Sequence, residues 1–180
     1  VYGYRPGLKV RGRKVRLDWS DYDARLRKYF DGSAFTERAG YWGPGVGVPI
    51  DHVLLPFNCE RGDNPAPAWP LATPPGGPTP DFEAVWMDAA RQVRAHFEAA
   101  PAWKPVRKVI FLNGLDESYN DAAYRKMIYY RDLIVRGAGD GWFQYRIDGG
   151  YSSKAMAKLA GHVDLRRPLK GRMWLGHKSG

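Results

Sequence analysis

The stretch VRKVIFLNGLDESYN, residues 106–120, constrains the fold more than any other part of the chain. Val109, Ile110, Phe111 and Leu112 form a short apolar run, rich in β-branched and aromatic side chains, and Asn113-Gly114 stops it. Such a run reads as a buried strand of the kind found in parallel sheets covered on both faces. In α/β folds, binding and catalytic groups sit just past the carboxyl ends of the strands. The adjacent carboxylates Asp116 and Glu117 fall there, which makes them candidate catalytic residues. The same pair would also suit the first turn of a helix, where acidic side chains complement the dipole. From this stretch alone the two readings weigh about equally.

The flanking segments repeat the pattern. Residues 51–58, DHVLLPFN, are a second strand candidate that ends near Pro56. Residues 141–147, GWFQYRI, are a third, and His162 to Leu165 look like the start of a fourth. Helices are expected between them. Phe82, Val85, Trp86, Ala89, Val93 and Phe97 recur near the 3.6-residue period after a cap at Thr79 or Asp81. Ala123, Met127, Tyr130 and Ile134 do the same after Asn120 or Asp121, and Gly137-Ala138-Gly139 closes that helix. A shorter helix, capped by Ser20 or Asp21, carries Leu26, Tyr29 and Phe30, and another is expected from Ser152 or Ser153 to Leu159. Strand and helix alternate without a hairpin signal between them, so βαβ units with a parallel sheet follow. Right-handed crossovers would bring Asn58, Asp116, Glu117, Asp148 and Tyr151 to one rim.

The remaining segments carry less pattern. Residues 1–16 read as a basic, irregular arm, and 40–47 as a glycine-rich loop bearing Tyr41 and Trp42. Residues 59–80 form a proline-rich loop in which Trp69 serves as a pin rather than a pocket wall. His96, on the long helix, reads as structural, and Tyr129 and Tyr130 read as packing residues.

Composition narrows the class of function. With 180 residues the chain can bury a core, and a single domain is the default. The formal charge of +9 raises the question of nucleic acid, yet the excess is concentrated near the two ends, and no nucleic-acid-binding motif is present. Nucleic acid is therefore not expected as a partner; basic end segments are more often solvated. The lone Cys59 excludes an internal disulfide and reads as a buried thiol. No metal or cofactor is expected. No run approaches a membrane span and no signal-peptide pattern is visible, so no membrane association is expected and localisation stays open.

Several segments together resemble a known family. LDWSDYDARLRKYFDGSAF, the PIDHVLLPFN strand, a helix ending in HFE, the LNGLDES stretch and the strand bearing RIDGGY are similar to the barrel of family 123-type glycoside hydrolases and to the related bacterial domain of unknown function 4091. The likeness spans residues 17–165, and the Asp-Glu pair is its most diagnostic element, with DGSAF second. It implies part of a (β/α)8 barrel and hydrolysis of a β-linked N-acetylhexosaminide, of the N-acetylgalactosaminidase type, in which the substrate's own acetamido oxygen attacks the anomeric carbon. Substrate-assisted enzymes are an exception to the two-carboxylate scheme. By position, Glu117 would protonate the leaving oxygen and Asp116 would hold the acetamido N–H. Asn113, Tyr145 or Tyr151 would add a hydrogen bond to the acetamido group, and Trp42, Trp69 and Trp142 are candidates to stack on a sugar face.

Two departures from the family pattern shape the expectation. A whole (β/α)8 barrel needs roughly 200 residues or more, and this chain offers about four strand candidates, so a partial barrel is expected, with exposed edges that favour self-association. After residue 165 the chain turns to RRPLKGRMWLGHKSG, a basic tail without strand pattern that resembles a truncated end. A partial barrel can keep the carboxylate pair without turning over. The alternative is a non-catalytic carbohydrate-binding or degenerate barrel protein, motivated by seven Trp and eleven Tyr; a basic nucleic-acid-binding protein ranks third.

Overall fold

A computed structural model describes residues 4–37, 45–59, 68–112, 121–147 and 174–175. Its elements run β1 (Gly7–Arg11), β2 (Lys14–Asp18), α1 (Ser20–Phe30), β3 (His52–Leu54), α2 (Pro80–Ala99), β4 (Arg107–Phe111), α3 (Asp121–Ala138), β5 (Gln144–Ile147) and β6 (Trp174–Leu175). The fold is mixed α/β. Strands β3, β4 and β5 lie side by side in sequence order, all parallel, and the two-residue β6 extends the sheet beyond β5.

The periodicity that suggests the helices also fixes which side they bury. In α2, Phe82, Val85, Trp86, Ala89, Val93 and Phe97 are all buried, and in α3 Met127, Tyr130, Leu133 and Ile134 are. Thr79 caps α2 by accepting the Phe82 N–H on its hydroxyl at 3.2 Å, with Pro80 in the first helical position. α3 ends where Gly139 turns left-handed at φ +86° and returns its N–H to the Val135 carbonyl. The two helices cross so closely at Gly137 that a Cβ there would lie 2.2 Å from the Met87 carbonyl oxygen. α1 is capped differently from expectation. Its N-cap is Trp19, with no side-chain cap, and Asp18 accepts the Ser20 N–H at 3.1 Å instead.

Register sets the faces of the sheet. Val53 pairs with Lys108 and Ile110 with Tyr145, so Val53, Leu55, Ile110, Leu112 and Tyr145 share one face. That face packs on α2 and α3 in one core with Trp86, Val93, Met127 and Ile134. Full burial of each large aliphatic side chain contributes roughly 1.5–3 kcal/mol. α1 joins the same helical layer, with Tyr22 edge-on to Phe97 and Phe30 stacked on Trp103. The opposite face carries Leu54 and Phe111, both half-buried. The consecutive parallel strands carry their described helices in one layer.

The two ends of the chain differ from the sequence reading. Residues 7–18 are an ordered antiparallel hairpin rather than an irregular arm, with Gly12 at φ +56° in its two-residue turn. Its β2 edge docks on α2 through two side chains one turn apart. The Val15 N–H donates to Asp88 Oδ2 at 2.9 Å and the Val15 carbonyl accepts from Gln92 Nε2 at 2.7 Å, so α2 supplies the edge partner that a third strand would. At the other end, Trp174–Leu175 forms β6 within the segment read as patternless; two residues are too few to show a period. The helix expected at 152–159 and the strand expected at 162–165 lie outside the described residues.

Candidate functional site

β4 is an inner strand of the sheet, with β3 on one side and β5 on the other. Its carboxyl end passes through Leu112 and the chain resumes in helix at Asp121. The connection between them carries the proposed Asp116 and Glu117, together with Asn113. These three lie outside the described residues, as do Trp42, Asp148 and Tyr151. Described segments lie beyond the carboxyl end of β3 and at the start of α3.

The described parts of the loop after β3 are held by several contacts. Asn58 and Trp69 exchange both backbone hydrogen bonds at 3.0 Å, forming a short antiparallel bridge past the carboxyl end of β3. Trp69 is buried edge-on to Phe57, which stacks in turn on Trp86. The Trp86 indole N–H donates to the Leu71 carbonyl at 3.1 Å, and Thr73 Oγ1 shares a 2.6 Å hydrogen bond with the Tyr130 hydroxyl. Trp69 therefore pins the loop, as expected. Its own indole N–H is buried without a hydrogen-bond partner among the described residues. Asn58 lies where the sequence places it, beyond β3, with its side chain buried.

Between this loop and the first three turns of α3 opens a cleft of about 560 Å³, walled by Thr73, Pro78, Ala123, Arg125, Tyr129 and Tyr130. Both tyrosine hydroxyls are engaged. Tyr130 is tied to Thr73, and Tyr129 donates to Glu83 at 3.1 Å. Burial, then the Glu83 carboxylate, raises the Tyr129 phenol well above its ordinary range, so it stays a proton donor. Glu83 is held from the other side by Arg136 at 3.2 Å. The cleft combines aromatic walls, an exposed Arg125 and the start of a helix, at the same end of the sheet as the β4–α3 connection. The sequence reading takes Tyr129 and Tyr130 as packing residues, and Tyr130 is one. That they also wall a cleft depends on the path of residues 71–78, which no local pattern encodes.

Tyr145 faces the core. The register puts it on the helix-facing side of β5, where its hydroxyl donates to the Met127 carbonyl at 3.2 Å. Complete burial, followed by the nearby Cys59, pushes its pKa well up. Its hydroxyl is engaged inside the core. Trp142 sits at the amino end of β5, with its indole N–H donated to Glu98 at 2.8 Å and the buried Lys108 ammonium 6.0 Å from its ring. That is the end of the sheet opposite the rim.

Other sequence readings are met in the structure. His96 stacks on Trp19 with ring centroids 3.9 Å apart and its Nε2 is 3.0 Å from Asp23 Oδ1, a packing role. Cys59 is buried. The DGSAF turn is a backbone lock: Asp31 accepts the Ser33 N–H at 2.8 Å, and a Cβ on Gly32 would meet the Gly47 carbonyl at 2.3 Å. Ile50 donates to the Tyr29 carbonyl beside this turn, which places it near the amino end of β3. Among the described residues no group of His, Cys, Asp and Glu side chains could hold a metal ion, and no helix is long and apolar enough to cross a membrane. Comparison of the chain with family models, curated proteins and solved structures returns no match.

Proposed function

We propose that this chain is a sector of a (β/α)8-type glycoside hydrolase barrel that acts on β-linked N-acetylhexosaminides, with Glu117 as acid/base and Asp116 as the group that holds the acetamido N–H. The observation that carries this reading is the position of the β4–α3 connection, which leaves the centre of a parallel sheet at its carboxyl rim. Sequential strand order and a single layer of helices are what a barrel sector requires.

In the proposed reaction the acetamido oxygen forms a bond to the anomeric carbon as the glycosidic C–O bond breaks. The leaving oxygen takes the Glu117 proton. Water then attacks the anomeric carbon, gives its proton to the Glu117 carboxylate, and the acetamido group is restored. Adjacent carboxylates suit this division of labour, because the charge of Asp116 favours the protonated form of Glu117. The cleft beside α3 provides aromatic walls next to the rim. The test is release of 4-nitrophenol from its β-N-acetylgalactosaminide and β-N-acetylglucosaminide, with Glu117→Gln and Asp116→Asn as controls of unchanged fold. Turnover lost in both variants supports the reading. Sugar binding without turnover, surviving Glu117→Gln, selects the non-catalytic alternative.

A further inference from the structure

The β1–β2 hairpin carries a charge arrangement that its own folding does not explain. Register puts Lys9 directly opposite Arg16 and Arg11 directly opposite Lys14, on the face turned away from the face that bears Val15. Arg13 stands in the turn between the strands. Like charges directly opposite each other destabilise an antiparallel pair, and here two such pairs are consecutive. Arg13 is paired with Asp81, and Lys14 lies 3.7 Å from Asp88. Asp18 shares this face and lies within electrostatic reach of Arg16 and Lys9, but Lys9, Arg11 and Arg16 form no ion pair at contact distance among the described residues. All three are exposed. The inner face, by contrast, is firmly held through Val15, Asp88 and Gln92, so the cations are displayed on a fixed ribbon rather than on a loose arm.

We propose that the outer face of this hairpin binds the phosphate backbone of duplex nucleic acid. Same-face residues along a strand are about 7 Å apart and cross-strand partners about 5 Å apart, so the cations form a compact grid. No aromatic, hydroxyl or amide side chain stands among Lys9, Arg11, Arg13, Lys14 and Arg16. Trp19 and Asp18 line a recess with Lys9 and Arg16 at the open end of the ribbon, whereas toward the turn Arg11, Arg13 and Lys14 present charge alone. Charge alone is the signature of sequence-independent phosphate contact. Composition spreads the basic residues over both chain ends and reads them as solvated; the register changes that, because it gathers those of residues 9–16 on one face.

The test is fluorescence anisotropy of a labelled 20-base-pair duplex titrated with the full chain at several salt concentrations. With Lys9, Arg11 and Arg16 each neutralising one phosphate, the slope of log K against log salt should be about −2.7. Affinity should then fall about 40-fold between 50 and 200 mM salt. Lys9→Gln or Arg16→Gln should each reduce the slope by about 0.9. Arg11→Glu is the discriminating variant. It turns the repulsive pair with Lys14 into an attractive one, so the melting temperature should rise while duplex binding is lost. Lys28→Glu, the same charge change on exposed α1, should leave binding within about twofold. Four outcomes overturn the proposal: no binding at 50 mM salt, a slope unmoved by the hairpin variants, equal losses in Lys28→Glu, or tighter binding to a sulfated polysaccharide or to anionic vesicles at matched ionic strength. Hydrolysis of the nitrophenyl glycosides is read separately with Glu117→Gln, which leaves the hairpin intact, so either reading can fail without the other.

Discussion

At the scale of single residues, Asp88 shows how a buried carboxylate can serve the fold. Desolvation pushes its pKa up, but the hydrogen bond from the Val15 N–H and the charges of Arg91 and Lys14 outweigh it, and the net shift is downward. A depressed carboxylate stabilises the folded state at pH above its unfolded value and loses that contribution as pH falls through the folded one. Stability should therefore decline below about pH 4, and Asp88→Asn should flatten that decline, as read by urea denaturation at pH 7 and pH 3. Asp88→Ala leaves the Val15 N–H without its partner and should cost about 1–3 kcal/mol at pH 7. Tyr145 makes the complementary case. Tyr145→Phe should cost about 1 kcal/mol, through loss of the bond to the Met127 carbonyl, and leave glycoside turnover unchanged. A turnover loss of tenfold or more would place it in the site.

At the scale of elements, legibility followed pattern length. α2 and α3 were readable because Phe82 to Phe97 and Ala123 to Ile134 each repeat their apolar stripe for three turns or more. β4 was readable because four apolar residues in a row, bounded by basic residues and Asn-Gly, leave few alternatives. The hairpin was not. Its apolar alternation is Leu8 and Val10 against Val15 and Leu17, and the cations between them hide it. Its turn, Gly12-Arg13, also lacks the Asn-Gly or Asp-Gly sequence that usually announces such a turn. Nor could the partner of β2 be read, since it is a pair of side chains on α2 that are distant in sequence. Gly137, read in the sequence as part of the helix stop, lies inside α3 and is decisive in the packing. Gly137→Ala should cost about 1–3 kcal/mol, because the added methyl meets the Met87 carbonyl and the Ala90 side chain. A melting temperature equal to that of the parent chain would show that the α2–α3 crossing relaxes freely.

At the scale of the molecule, a parallel sheet in strand order 3-4-5, with its described helices in one layer, defines a rim and an opposite end. Asn58, the Trp69 bridge and the cleft at α3 lie toward the rim, and the DGSAF turn and Trp142 lie toward the other end. The sequence suggested the proposed pair Asp116 and Glu117 and made the preceding strand, β4, legible. The cleft at α3 depends on loop residues 71–78 folding back on Tyr130, a long-range contact that no local periodicity records. The central claim is that Glu117 transfers the proton to the leaving oxygen. Its most direct measurement is kcat/KM for 4-nitrophenyl β-N-acetylgalactosaminide with the parent chain and with Glu117→Gln, on samples of equal melting temperature. The expected result is turnover by the parent that falls by about 10²–10⁴ in the variant. A parent without turnover on either N-acetylhexosaminide, or a Glu117→Gln variant as fast as the parent, would contradict the account.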